Sequence, residues 1–328
     1  MAKYASGANA QLLIQKEDTW GVKPSTPKML KMTNIVAGES LGVTIESKQS
    51  NAITGKRGIQ EVRNGMETVS GQLSGEVSAS SIKLLIDLYG TLGEYVQTTE
   101  AGGLFKKVFT RKSEIPSFYL EKNFPDVDVF TQQFGLLYNT TTIAADADGD
   151  ISITNEYIGK SHAVQDSATE ESITDINEFM TGIDVDLLSE AGVASCYSNI
   201  NFSITNDLDP RRCLGPATIT SAAVKKGSVS GSVTLTFSNM SFYDKWLDEE
   251  ETTIRFRLKR KLNTVEFMFP RVRISGSENL LPVIDSDGII TVTYPFLSLT
   301  KSGYGSNGSD IVVTVISDVD FDSFLSAV

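Results

Sequence analysis

The sequence is poor in the side chains that most often carry catalysis or bind transition metals. Its 328 residues include one histidine and two cysteines. Nucleophilic catalysis by serine or cysteine usually needs a histidine base, and zinc sites need several histidines or cysteines. His162 lies in a polar stretch, where we expect a solvated linker residue. We therefore predict that the chain is not an enzyme and holds no cofactor or metal.

Long apolar runs are also missing. No stretch of about 18 apolar residues occurs, as a membrane helix would need, and the N-terminal residues lack the apolar core of a signal peptide. The sequence therefore predicts no membrane binding by the chain itself. The spacing of Cys196 and Cys213 does not indicate a disulfide scaffold. We expect two buried small side chains there, and a disulfide between them stays open.

Positive charge is in deficit. The chain has 29 Lys and Arg against 41 Asp and Glu, a formal net charge of −12 at pH 7. Proteins that grip nucleic acid use Lys and Arg to neutralise phosphates, so the balance argues against such a clamp. It is compatible with a surface that nucleic acid passes without binding. The one basic run, from Arg255 to Lys261, alternates with Phe256 and Leu258 and predicts a salt-bridged strand face or a subunit contact.

The most informative stretch runs from Val69 to Gly90. Apolar or glycine positions alternate with polar ones from Val69 to Ser78, which is typical of a strand with one buried and one wet face. Apolar residues then recur at three- and four-residue spacing, and this predicts a helix. Ser80 or Ser81 is expected to cap that helix, and Gly90 to end it.

The same pattern recurs at Val229–Asp248, which again begins Val-Ser-Gly and continues into helical spacing. Asp148-Gly149 and Asp287-Gly288 each follow one copy and precede a strand-like run. These matches predict an internal duplication. The first copy carries about 21 more residues before its Asp-Gly pair than the second.

Clustered carboxylates at Asp146–Asp150 resemble the start of a calcium loop. The closing glutamate and the full spacing of such a loop are missing. Asp-Gly between two alternating runs is a hairpin signal, and this is the interpretation we prefer.

We predict the following division of the chain. An N-terminal arm covers residues 1–34, a first β domain covers residues 35–165 with a long loop or long hairpin at 91–134, a linker covers residues 166–182, and a second β domain covers residues 183–328.

Several stretches together resemble the phage tail tube, or major tail, proteins. They span nearly all of residues 5–160, and the second half is less close. The resemblance is carried by Gly7–Ala10, Glu17–Gly21, Val43–Asn51, the Val-Ser-Gly strand with its helix, and Gly135–Lys160.

The resemblance implies a mainly β protein of two tandem tail-tube-like barrel or sandwich domains, each with a flanking α-helix. Such domains assemble into rings of six that stack into a hollow tube for DNA ejection. With two domains in each chain, three chains would form a pseudo-hexameric ring. The resemblance also implies a virion tail protein made in the host bacterial cytoplasm. Its partners would be the tape measure protein and phage DNA in the lumen, and the tail terminator and distal tail proteins.

In such a ring the polar strand faces would line the channel, and basic residues of the 91–134 stretch would reach the next ring together with a tryptophan. The predicted lumen-facing residues are Ser70, Gln72, Ser74, Glu76, Ser230, Ser232, Thr234 and Thr236. The predicted inter-ring residues are Lys106, Lys107, Arg111, Lys112 and Trp20.

Two other functional classes make different predictions about the strand faces and clefts. A carbohydrate-binding β-sandwich would present aromatic side chains on one face, and the alternating strands carry none. A β-rich hydrolase would need a carboxylate pair in a cleft, and the sequence singles out no such pair.

Overall fold

A computed structural model of the protein describes residues 4–25, 28–36, 39–51, 59, 61–169, 171–194, 197–276, 280–284 and 288–327. Strands dominate these ranges, and three α-helices accompany them. The predicted mainly β class is confirmed. The strands do not close into a barrel within the described residues, so the barrel version of the prediction is wrong.

Within the described residues, the first half contains eleven strands and one long helix. They are β1 (Gln11–Lys16), β2 (Met29–Lys31), β3 (Gly42–Gln49), β4 (Val62–Glu76), α1 (Ile82–Leu92), β5 (Gly93–Thr99), β6 (Phe105–Arg111), β7 (Phe118–Phe124), β8 (Val129–Asp146), β9 (Ser152–Gly159), β10 (Ser161–Gln165) and β11 (Glu171–Thr174).

The second half contains ten strands and two short helices. They are β12 (Val185–Glu190), β13 (Val193–Ala194), β14 (Tyr197–Thr205), β15 (Leu208–Arg211), β16 (Ser221–Val224), β17 (Ser228–Thr236), α2 (Ser241–Leu247), β18 (Glu251–Arg260), β19 (Asn263–Ile274), β20 (Thr291–Ser298), β21 (Val312–Ser317) and α3 (Phe321–Ala327).

Strand pairing follows the same order in both halves. In the first half β3 pairs with β4, β4 with β9, β9 with β8, and β8 with β7 and β10. In the second half β14 pairs with β17, β17 with β20, β20 with β19, and β19 with β18 and β21. Helices α1 and α2 each follow the strand that begins Val-Ser-Gly.

Two joints connect the halves. The C-terminal part of the 18-residue strand β8 pairs antiparallel with β14, with Thr142 opposite Ser203. In the second joint β6 pairs with β21, with Val108 opposite Thr314. Because of the β8–β14 joint, β3, β4, β9, β8, β14, β17 and β20 form one continuous sheet.

Three segments predicted as an arm, a long loop or hairpin, and a linker are ordered parts of this fold. The stretch 91–134, expected as a long loop or hairpin, forms the β5–β6 hairpin, β7 and the start of β8. The expected arm, residues 1–34, supplies β1, which pairs with β7, and β2, which pairs with β1. The expected linker, residues 166–182, contains β11, which runs parallel to β2. The polar composition of these segments does not indicate their strands, because the pairings that order them join residues far apart in sequence.

The first helix forms where the spacing predicts it. Ser81 accepts a hydrogen bond from the Leu84 N–H, and Gly93 ends the helix in the left-handed conformation. Gly90, expected at the end, lies inside the helix, where a Cβ would stand 2.4 Å from the Tyr138 ring. Asp175 also caps the helix, with its carboxylate 2.6 Å from Ser81 Oγ and 2.8 Å from the Ile82 N–H. Burial raises the pKa of Asp175, while these hydrogen bonds oppose that shift.

One apolar core runs through both halves. It includes Leu85 and Leu88 from α1 in the first half and Phe202, Phe256 and Phe267 from the second. An ion pair is buried on the core side of α1, where the Lys83 ammonium pairs with the Asp87 carboxylate. The Tyr138 hydroxyl donates to the same carboxylate at 2.8 Å. This pairing offsets part of the cost of burying a charge in the core.

Candidate functional site on the hydroxyl-rich face of the sheet

The candidate site is the outward face of the continuous sheet, which we name the hydroxyl face. It is formed by the outward positions of β4 from Val69 onward, β9, the C-terminal part of β8, β14, β17 and β20. In β4 the inward residues Val69 and Leu73 are buried, while Ser70 and Gln72 are exposed. The eight predicted lumen residues all lie on this face: Ser70, Gln72, Ser74, Glu76, Ser230, Ser232, Thr234 and Thr236.

Short hydroxyl side chains line up across the strands of both halves. Ser74 Oγ lies 2.9 Å from Thr154 Oγ1, and Thr142 Oγ1 lies 2.8 Å from Ser203 Oγ. Thr142 is the register partner of Thr154, and Ser203 is the partner of Ser230. The row therefore crosses five strands and passes from one half to the other without a break.

The charge on the hydroxyl face is sparse and negative. Across its six described strands the outward positions carry Glu76, Glu156 and Asp146 and no lysine or arginine. A surface of this kind offers hydrogen-bonding groups but no cation that could hold a phosphate. Chemically it can border a polyanion without binding it.

The glycine of each Val-Ser-Gly motif packs closely against the backbone of a neighbouring segment, which the sequence alone did not reveal. A Cβ on Gly71 would stand 2.3 Å from the Ser40 carbonyl oxygen, and one on Gly231 would stand 2.4 Å from that of Asn201. Gly71 also has a φ of +147°, which L-residues rarely adopt. The two glycines let the neighbouring segment approach closely at corresponding places.

Three of the predicted inter-ring residues have partners within the chain. Lys107 is fully buried, and its Nζ donates to Ser317 Oγ at 2.8 Å across the β6–β21 joint. Arg111 donates to Asp310 at 2.8 Å and to Asn206 Oδ1 at 3.0 Å. Both residues therefore connect the two halves.

Trp20 is also held within the chain. Its Nε1 donates to the Gly135 carbonyl at 3.0 Å, and the Lys160 ammonium lies 4.8 Å from the ring centroid. Lys112 is exposed and Lys106 is half-buried, so these two stay candidates for contacts outside the chain.

The histidine, the cysteines and the acidic stretch singled out in the sequence form no catalytic or metal site within the described residues. His162 lies in β10 rather than in a linker, with Nδ1 2.8 Å from a Glu67 carboxylate oxygen. Cys213 is exposed and free, contrary to the expected burial, and Cys196 lies outside the described residues. Within those residues no cluster of His, Cys, Asp or Glu could hold a metal ion. The Asp146–Asp150 stretch connects β8 and β9, as expected for a hairpin turn.

The basic run of β18 is salt-bridged, as expected. Arg257 makes a two-pronged contact with Asp186, at 2.8 and 2.9 Å. The hydrogen bonds to Asp186 raise the pKa of Arg257 above its ordinary value. Phe256 and Leu258 between these cations are buried.

Comparison with known families bears on this geometry. A family model described as phage tail tube protein matches residues 7–298. The chain belongs to that family. A search of curated proteins gave no match. The resemblance stated from the sequence is thus confirmed, and the match extends through most of the second half.

Membership in the tail tube family supports a structural protein of the phage tail and implies self-assembly into a tube. A virion tail component agrees with the mainly β fold. None of the helices in the described ranges is long and apolar enough to cross a bilayer.

Proposed function

We propose that three chains form a pseudo-hexameric ring and that these rings stack into a hollow tube for DNA ejection. Each chain supplies two tandem tube domains, residues 35–165 and 183–328. The observation that carries the proposal is the recurrence of one strand order in both halves, joined into a single sheet through β8 and β14.

The sheet supports a ring because its construction repeats. Adding a second half to the first through β8–β14 pairing extends the sheet by one unit. Repeating that step between chains would continue the sheet around an axis. Closure would then remove exposed strand edges, which are otherwise sites of uncontrolled association.

The hydroxyl face is the surface we assign to the channel. Its serine and threonine side chains are short, and its charges are carboxylates. DNA phosphates passing such a wall would meet weak repulsion and would find no lysine or arginine to slow them. The opposite face packs on the core and is unsuited to line a channel.

The remaining parts of the proposal follow from membership in a tail. The tape measure protein and DNA would occupy the lumen, and the tail terminator and distal tail proteins would bind the tube ends. Lys106 and Lys112 are the candidates for reaching the next ring. Synthesis would take place in the host bacterial cytoplasm.

Mass measurement of an isolated ring, together with negative-stain imaging, tests the assembly. We expect rings of three chains and stacked tubes. Rings of six chains would contradict the tandem arrangement. Only monomers at all concentrations and salt conditions would contradict tube formation itself.

Thiol labelling tests the channel face. In a background with Cys196→Ser and Cys213→Ser, Ser230→Cys should react with a small maleimide in assembled tubes but not with a bulky polyethylene glycol maleimide. Leu262→Cys, at the exposed β18–β19 turn, serves as the matched control. Equal protection at both sites, or labelling of Ser230→Cys by the bulky reagent along the tube, would contradict the assignment.

No observation favours the carbohydrate-binding alternative. Among the described residues the exposed large aromatics are Tyr4 and Phe179. Neither lies on the hydroxyl face, so no aromatic platform for sugar rings is formed there.

A further inference from the structure

The strands of the continuous sheet leave two unlike ends. One end, which we name the hairpin end, carries Val69 of β4, Gly159 of β9 and Thr205 of β14. The other, which we name the turn end, carries Glu76 of β4 and Asp146 of β8. In the proposed ring the sheet grows by side-by-side pairing of strands. The two strand ends are therefore the surfaces left to face the rings above and below.

A loop at the hairpin end presents a leucine side chain to solvent. Residues 212–217, at the tip of the β15–β16 hairpin, form this loop, and we name them the tip loop. Arg212 anchors the loop by donating to Thr68 Oγ1 at 2.7 Å, and the Ala217 carbonyl accepts a backbone N–H of β4 at 2.8 Å. Leu214, between these two anchors, is fully exposed. The backbone of the loop is thus fixed in place while its apolar side chain is unburied.

The turn end carries a groove between β14 and the β12–β18 pair. Its volume is about 340 Å³, and we name it the end groove. Apolar and polar residues both line it: Val185, Leu188, Ile200 and Phe256, with Asp146, Asp186 and neutral polar residues of β14. The Asp186 carboxylate is already paired with Arg257. Ile183, which follows the lining residue Gly182, is 92% exposed. An apolar groove with an exposed isoleucine beside it is suited to receive an apolar side chain.

The tip loop and the end groove cannot meet within one chain. Strand β14 runs from the groove at Asn199 to the hairpin end at Thr205. These six steps span roughly 20 Å at the usual rise per residue. A contact between the loop and the groove must therefore join two copies head to tail. A head-to-tail contact along the strand direction propagates as an open stack and does not close a dimer.

The charges beside the two surfaces are complementary. Arg211 immediately precedes the tip loop, is exposed, and lies 4.0 Å from its nearest carboxylate partner, Asp209. The β8–β9 turn beside the end groove carries three exposed carboxylates, those of Asp146, Asp148 and Asp150. No ion pair joins them to a cation in the part of the chain that the structure describes. A second copy that brings its guanidinium to this turn would be attracted and oriented by it.

We propose that the tip loop of one chain inserts Leu214 into the end groove of a chain in the next ring. The contact would cover Leu214 and Ile183 and would bring Arg211 to the acidic β8–β9 turn. It rests on the proposed ring and specifies which two surfaces stack one ring on another. The three chains of a ring would make three such contacts in parallel.

Two single variants separate the two sides of the contact. Leu214→Asp places a carboxylate in an apolar groove, and Ala147→Trp, at an exposed lining residue, fills the groove. Each should weaken one contact roughly tenfold. With three contacts in parallel the ring-to-ring affinity should fall by about a thousandfold, which leaves single rings. Val96→Asp, in the middle of β5 at a position that is 61% exposed, is the control and should still give tubes.

Mixing preformed rings of the two variants gives the decisive result. Leu214→Asp rings keep a working groove and Ala147→Trp rings keep a working loop, so one intact interface can form between them. Negative-stain imaging should show pairs of rings in the mixture and no longer stacks. Tubes from either variant alone, or no pairs in the mixture, would overturn the proposal.

The same samples distinguish this contact from the ring itself. If both variants lost the rings and gave monomers, the contact would lie within a ring, and the stacking assignment would be wrong. Failure of the unmodified chain to form rings would instead contradict the proposed ring on which the contact rests.

Cross-linking gives a second readout that does not depend on weakening the contact. Cys213 is exposed and adjoins Leu214. In a Cys196→Ser background, a benzophenone maleimide on Cys213 should attach to peptides containing residues 145–147 or 182–188 of another chain. Mixing isotope-labelled with unlabelled rings identifies the products that join two chains. A chain with both cysteines replaced by serine is the control and should give none. Attachment to other segments of the partner chain would overturn the assignment of the groove.

Discussion

The two halves share a strand order but differ in how their helices are packed. Helix α1 has 11 residues, nine of them buried, whereas α2 has seven residues, of which Phe242 is buried. Helix α1 carries the buried Lys83–Asp87 pair on its core side. On helix α2 the Phe242 ring stacks on the Tyr294 ring, with the two ring centroids 5.1 Å apart. The two halves therefore share the strand order of the sheet, and they differ in the contacts that hold the helix on the core.

The halves also differ by one hairpin. The β5–β6 hairpin has no counterpart after α2, and its outer strand pairs with β21 of the second half. Tyr95 of this hairpin packs edge-on against Phe321 of α3 at 5.1 Å. The extra residues of the first half therefore cover the edge of β21 in the second half.

The largest expected effect concerns the buried pair under α1. Asp87→Ala removes the partner of a buried ammonium and the acceptor of the Tyr138 hydroxyl. We expect a loss of about 3–5 kcal/mol in the free energy of unfolding, measured by urea denaturation. Asp244→Ala on the exposed face of α2 should cost about 0.5 kcal/mol or less. Equal losses would show that the two helices do not differ in the way described.

The two Val-Ser-Gly glycines give the next effect. Gly231→Ala should cost about 2 kcal/mol because the new methyl group would collide with the Asn201 carbonyl. Gly71→Ala should cost more, about 3 kcal/mol, because its positive φ adds backbone strain. Denaturant midpoints of the two variants measure the difference. A larger loss for Gly231→Ala would contradict the argument from strain.

Lys107 makes stability depend on alkaline pH. Burial lowers its pKa to about 8 in the folded chain, whereas an unfolded lysine titrates near about 10.4. The unfolded chain binds more protons between these values, so the free energy of unfolding should rise with pH from about 8 to about 10.4.

A Lys107→Met variant tests this dependence. At pH 7 it should be more stable than the unmodified chain by about 2 kcal/mol, since the penalty for burying the ammonium exceeds the lost hydrogen bond to Ser317. The gain should shrink as the pH approaches about 10.4. Lys106→Met, on the half-buried side of the same strand, is the control. A gain that does not change with pH would contradict the assigned cause.

The smallest effect concerns helix capping. Ser81→Ala should cost about 1–2 kcal/mol because its hydroxyl accepts from the Leu84 N–H and donates to the buried Asp175 carboxylate. Helix α2 has no side-chain hydrogen bond from its own cap residue, Met240. Ser241→Ala should therefore change stability by a few tenths of a kcal/mol at most. A comparable loss at both serines would show that capping does not distinguish the helices.

Local patterns predicted the elements well. Period-two alternation found β4 and β17 and assigned their wet faces correctly, because burial on one face leaves that signature in any strand. Helical spacing found α1 and α2 for the same reason. The extra residues of the first half were also located, and they form the β5–β6 hairpin.

Long-range pairing could not be predicted in the same way. Nothing local indicates that β8 spans 18 residues and serves both halves, or that β11 pairs with β2. The correspondence between the strands that precede the two Val-Ser-Gly motifs also depends on long-range pairing. Strand pairing places Val43 opposite Val69 and Ile204 opposite Val229, so Val43 corresponds to Ile204. A two-residue slip preserves the face of every side chain, and alternation alone cannot detect it.

The covalent link across the β8–β14 joint changes the cost of assembly. In a ring of three chains, half of the joints are already made when each chain folds, at the effective concentration of a tethered pair. Only two encounters between separate molecules then precede closure, and each encounter spends translational and rotational entropy. A ring built from single-domain subunits would need five. Fusion of two units should therefore allow rings to form from more dilute protein and with fewer partial rings.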